Sequence, residues 1–185
     1  MRVVMTERAV HRTLLALIAI LACAPHIVRA APFCASCVLQ IGVGGTYHYW
    51  GSTGAVVLPV TVSWSENRYE FGVFRMARQQ TLADSNIRTQ RLLANPYWGV
   101  SLSRRWQLFA RGPLSGFIGF GTAYRTQNDE LTATHWNFAE QLGARYRLPG
   151  GRMVAEFTVR HWSNAGIRLP NHGQDFATLT ATFDF

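Results

Sequence analysis

From Val38 to its last residue the chain alternates apolar and polar side chains in segments of roughly ten residues. Period two is the mark of a strand with two unlike faces, and about ten residues is the length a tilted strand needs to cross a bilayer. After residue 30 no apolar run reaches the roughly 18 residues of a membrane-spanning helix, and no full-length amphipathic helix appears. The first segment, Val38–Tyr49, is glycine-rich and carries Leu39, Ile41 and Val43 on one face. Val56 to Trp64 alternates through the second, and Tyr69, Phe71 and Val73 mark the third. A polar stretch, Gln79–Asn95, precedes Trp98, Val100 and Leu102 in the fourth. Ile118, Phe120, Thr122 and Tyr124 form the fifth, and Trp136, Phe138, Leu142, Ala144 and Tyr146 the sixth, where Glu140 interrupts the apolar face. Met153–Val159 and Ala177–Phe185 supply the last two.

Eight is even, as single-chain bacterial barrels require, and closure removes the unpaired edges that lipid penalises. The expected fold is therefore all-β: an eight-stranded antiparallel transmembrane β-barrel of the bacterial outer membrane. The inward parity carries Gly, Ser, Thr, Gln, Glu and Arg, a polar interior that includes Glu156 and Arg160 as an ion pair. Tyr47, Tyr49, Trp50, Trp64, Tyr69, Tyr97, Trp98, Trp106, Trp136 and Tyr146 lie near segment ends, where an interfacial girdle belongs. The chain ends on Phe185, and a terminal aromatic is the usual outer-membrane assembly signal. A soluble β-sandwich or lipocalin-like barrel is the competing fold; large aromatics at the outward parity favour the membrane barrel.

Residues 1–30 have the layout of a secretory signal peptide: Arg2, Arg8 and Arg12, an apolar core over 13–24, and Val28-Arg29-Ala30 before the cleavage point. A lipoprotein leader ending before Cys23 fits only loosely. Residues 31–185 then form a single barrel domain. All the basic residues are arginines, and losing Arg2, Arg8, Arg12 and Arg29 against Glu7 takes the net charge from +8 to +5. A basic exported surface suits phosphorylated lipid head groups, while export disfavours nucleic acid. Cys34 and Cys37 form a CxxC with no second ligand pair after it, which in an exported chain reads as a local disulfide rather than a metal site.

The chemistry-bearing stretch is Arg160-His161-Trp162-Ser163-Asn164-Ala165-Gly166, followed by Pro170-Asn171-His172-Gly173-Gln174-Asp175. These are the residue types of a nucleophile, a base and an orienting acid. Counting along the seventh strand from Met153, Ala155, Phe157 and Val159 puts His161 and Ser163 on the apolar face. Counting back from Ala177 puts Asp175 on the same face of the eighth. With a periplasmic N-terminus the seventh strand runs outward, the loop Asn164–Gln174 is external, and the three residues lie at the depth of the outer leaflet.

The HWSNAG…PNHG block, the leader, the eight short strands and the terminal Phe resemble the PagL family of outer-membrane lipid A 3-O-deacylases. The specific match is the last 25 or so residues; Leu142-Gly143 ahead of Arg145-Tyr146-Arg147 adds to it. The resemblance implies a Ser-His-Glu triad on the lipid-facing outside of the barrel. Carried over, Ser163 is the nucleophile, His161 the general base, and Asp175 stands where the family has Glu. That acid is one methylene, about 1.5 Å, shorter. The implied reaction is hydrolysis of the ester-linked 3-hydroxyacyl chain at the 3-position of lipid A, with lipopolysaccharide and outer-membrane lipids as partners. Asn164, Gly166 and Asn171 are the candidates for the oxyanion and for positioning substrate, and Gly166 and Gly173 would bring backbone close to it. The account needs no metal and no cofactor.

A non-catalytic small barrel with a structural or adhesion role is the alternative, and it gives no reason for three polar residues to face lipid. A phospholipase of the outer membrane would be a larger, calcium-assisted barrel, and no acidic cluster for calcium is present. His172 reads as loop decoration, and His48 and His135 as residues at external strand ends. Asn164 and Asn171 also suit a turn alone. A homodimer is left open by the sequence.

Overall fold

The computed structural model describes residues 37–47, 56–76, 96–128, 132–151 and 153–183. The leader, Cys34, His48, Tyr49, Trp50, the stretch Gln79–Asn95 and Phe185 lie outside the described residues. Every alternating segment is a strand: β1 (Val38–Tyr47), β2 (Val56–Trp64), β3 (Tyr69–Met76), β4 (Tyr97–Arg111), β5 (Leu114–Arg125), β6 (Trp136–Arg147), β7 (Met153–Ser163) and β8 (Gln174–Phe183). Each pairs antiparallel with the next, and β8 returns to β1, closing the barrel in sequence order. A bulge between Gln107 and Phe109 shifts the register of β4 against β5.

The outward faces carry Leu58, Val60, Phe71, Leu102, Ile118, Phe120, Leu142, Phe157 and Leu179, all exposed. A soluble domain would have to cover so continuous an apolar wall, whereas lipid solvates it. Inside, the lower barrel is polar. Glu156 accepts hydrogen bonds from Gln40 (3.0 Å), Thr158 (2.9 Å), Arg105 (3.1 and 3.2 Å) and Arg145 (2.6 Å). Glu70 is paired with Arg105 and, at 3.3 Å, with Arg160. The expected Glu156–Arg160 pair is thus replaced by a wider arrangement in which Arg105 joins both carboxylates. Buried charges are tolerated when partners and geometry are this complete, and removing one partner strands the others.

Toward the outer end the interior changes character. Phe74, Trp162 and Phe176 meet edge to face with ring centres 5.0–5.5 Å apart, fully buried, beside Val57, Met76 and Tyr97. This aromatic plug departs from the uniformly polar interior expected. Gly72 and Gly99 make room for it, since a Cβ at either would overlap the Phe74 or Trp162 ring. Tyr97, counted with the girdle, belongs to the plug instead: it donates to Gln174 Oε1 at 3.0 Å, and the Arg125 guanidinium lies 4.6 Å above its ring. Trp162→Ala is expected to cost about 3–5 kcal/mol by cavity formation. The check is the urea midpoint of the refolded barrel in detergent.

Cys37 is disulfide-bonded, and its partner lies outside the described residues.

Candidate active site

Strand register determines which side chains can meet. Along β7, inward Trp162 alternates with outward His161 and Ser163, so the aromatic plug anchors the strand while its neighbours face lipid. His161 lies directly opposite Asp175 on β8. Directly opposed residues have Cβ atoms about 4.5–5.5 Å apart, a span that an Asp–His pair bridges without the longer Glu. The ring Nδ1 is 2.7 Å from Asp175 Oδ1. The histidine side chain is 38% exposed and the aspartate 16%, so the pair sits on the outer wall and not in the lumen.

Ser163 stands two residues beyond His161 on the same face, half-buried, and pairs in register with Phe138. Among the described residues no hydrogen bond joins its hydroxyl to the imidazole. His161 and Asp175 are therefore already joined, and Ser163 is adjacent on the same face. Catalytic hydrogen bonds often tighten only when substrate arrives.

The loop after Ser163 is built by the two asparagines. Asn171 Oδ1 accepts from the Asn164 backbone N–H at 2.9 Å. Asn164 Nδ2 donates to the Arg168 carbonyl at 2.8 Å, and its Oδ1 accepts from Gly166 N–H at 3.0 Å. Asn164 is buried, and the turn passes through left-handed Ala165 (φ 52°) and Gly166 (φ 78°). The backbone N–H groups of Asn164 and Gly166 are thus occupied in this state. Asn171 Nδ2 makes no hydrogen bond among the described residues. His172 is exposed on this loop, and His135 packs on Tyr124 with its Nδ1 2.7 Å from the Arg125 carbonyl.

Gly173 turns the chain through a left-handed backbone, as expected, and also packs against His161. It has φ 76°, and a Cβ there would overlap the His161 ring. It brings backbone close to the histidine, fixing the ring over β8, where it reaches Asp175.

Glu140 is the residue that strand counting passed over as a flaw. It lies opposite His161 on β6, as Asp175 does on β8, and it faces outward. Its presence at the outward parity of an apolar face was the available signal. Beside it an open groove of about 440 Å³ runs along the wall, with Trp106, Ile118, Phe120, Leu142 and Val159 as its apolar lining and His161 at one end. No group of three or more metal-ligating side chains occurs among the described residues.

Comparison with known proteins agrees with the barrel fold. The family model described as lipid A 3-O-deacylase (PagL) matches residues 53–184. The solved structures that resemble the chain include the outer membrane enzyme PagL, with a TM-score of 0.55 and 16% identity over 80% of this chain and 99% of that one. The N-terminal β-barrel domain of Pseudomonas aeruginosa OprF gives a TM-score of 0.52 at 11% identity, covering 82% and 98%. Neisserial surface protein A gives 0.52 at 9%, covering 80% and 97%. At such identities these structures speak for the fold. No curated protein matches the chain in sequence. The protein is an outer-membrane barrel, and with the family model spanning most of its length it belongs to the lipid A 3-O-deacylase (PagL) family.

Proposed function

We propose that this protein hydrolyses the ester-linked 3-hydroxyacyl chain at the 3-position of lipid A, using Ser163, His161 and Asp175 on the lipid-facing wall of the barrel. The observation that carries the reading is the 2.7 Å bond between His161 and Asp175 on a largely apolar wall, with Ser163 next along the same face. With Nδ1–H directed to Asp175, His161 Nε2 is the nitrogen free to accept a proton. It takes the Ser163 proton as Oγ attacks the ester carbonyl, then delivers it to the departing sugar oxygen. Asp175 stabilises the imidazolium formed between these steps. Water, deprotonated by the same nitrogen, then releases the 3-hydroxy fatty acid and regenerates Ser163. The tetrahedral oxyanion takes a hydrogen bond from Asn171 Nδ2, and from Gly166 N–H once the turn shifts to admit substrate; each donor contributes about 3 kcal/mol.

Mass spectrometry of lipid A from cells expressing the protein tests the reading. The expected result is loss of one 3-hydroxyacyl group, with no loss when Ser163→Ala is expressed. Unchanged lipid A from cells whose outer membrane holds the folded wild-type barrel would overturn it and favour the structural or adhesion role.

A further inference from the structure

Glu140 has no role in the steps above, yet it stands across β7 from Asp175, one strand to the other side of His161. A carboxylate on a lipid-facing wall is costly to keep there. It makes no ion pair among the described residues. The groove it borders is apolar, with a lower row formed by Trp106, Ile118, Leu142 and Val159 in successive register, and Glu140 and His161 in the row above. Ser163 lies further toward the outer end of β7 than His161. An ester seated at Ser163 with its sugar toward the external loop would send its acyl chain past His161 into the groove.

A carboxylate offers two acceptor oxygens, so a ligand group that donates a hydrogen bond suits it. A 3-hydroxyacyl chain carries one donor, the hydroxyl on its third carbon. That hydroxyl oxygen is three bonds beyond the carbonyl carbon, within one strand spacing of about 4.8 Å. Ser163 pairs with Phe138, so Glu140 is its diagonal neighbour on β6, about 7–8 Å away, a gap that the glutamate side chain and the hydroxyl-bearing arm of the acyl chain span together. We propose that Glu140 accepts a hydrogen bond from the free 3-hydroxyl of the scissile acyl chain, making it the residue that selects hydroxyacyl over plain acyl esters, while the groove takes the alkyl tail. This rests on the reaction proposed above and adds a specificity determinant to it.

The test uses purified full-length protein in detergent micelles and two glucosamine-based esters. They carry acyl chains of equal length at the 3-position, one with and one without the third-carbon hydroxyl. A hydrogen bond to a charged acceptor predicts that wild type prefers the hydroxylated ester by about tenfold or more in kcat/KM. In Glu140→Leu the hydroxylated ester should fall to the level of the plain one, with the plain ester hydrolysed as before. Glu140→Gln, which keeps an acceptor, should retain part of the preference. Equal loss on both esters in Glu140→Leu would overturn the inference and assign Glu140 to supporting His161. Absence of any preference in wild type would overturn it without recourse to variants. If wild type cleaves neither ester, the proposed reaction itself falls, and this inference with it.

Discussion

Asp175→Asn should lower deacylation by about 10³- to 10⁴-fold while leaving the barrel folded. The reason lies in the 2.7 Å contact with His161 Nδ1. A carboxylate at that point accepts from Nδ1, which on the proposed mechanism leaves Nε2 to take the Ser163 proton. An amide can donate instead, which favours the opposite tautomer and removes the negative charge that balances the imidazolium. Asp175 is at the outer end of β8, and the buried ion network that centres on Glu156 and Glu70 does not include it. Initial rates in micelles, normalised to the fraction of protein showing the heat-dependent gel shift of a folded barrel, give the comparison. A loss below tenfold would show that another group orients His161, and Glu140 is the carboxylate in register to do so.

Gly173→Ala should cost about 100-fold in rate. Two effects combine there. The left-handed backbone disfavours any Cβ by about 1–2 kcal/mol, and the added methyl would occupy space held by the His161 ring. Relief comes by moving the imidazole away from Asp175, and a displacement of about 1 Å in a catalytic group is enough for a loss of that size. Gly150→Ala separates the two effects. Gly150 also has positive φ (93°), but nothing lies within 4 Å of its Cβ position, at the turn between β6 and β7. That variant should lose stability alone, read as a lower urea midpoint with unchanged activity. Equal activity losses in the two variants would refute the role given to Gly173.

Much of this was legible in residue order because a barrel obeys one rule throughout. Period two placed all eight strands, and the same count put His161, Ser163 and Asp175 on the outward face. What the count could not supply was cross-strand register, which depends on turn lengths and the bulge in β4. Register is what sets Asp175 and Glu140 on either side of His161 and explains how the shorter acid reaches. The interior was legible in its charges and wrong in its partners, because three arginines and two glutamates can be matched several ways. Phe74 and Phe176 share the inward parity with polar residues, and only closure of the barrel shows that they meet Trp162. Asn164 and Asn171 looked like turn formers or oxyanion donors. Their mutual bonding shows that the turn uses most of their capacity.

The filled lumen, with salt-bridged side chains below and packed rings above, has a consequence for how the enzyme meets its substrate. Nothing the size of a lipid can thread the barrel, so every encounter takes place sideways, by lateral diffusion within one leaflet. On the proposed reaction, the quantity that governs its rate is then a surface density, the fraction of lipid molecules around the wall that carry the 3-position ester. Such a catalyst works in two dimensions, and its product stays in the membrane beside it until a neighbouring lipid takes its place.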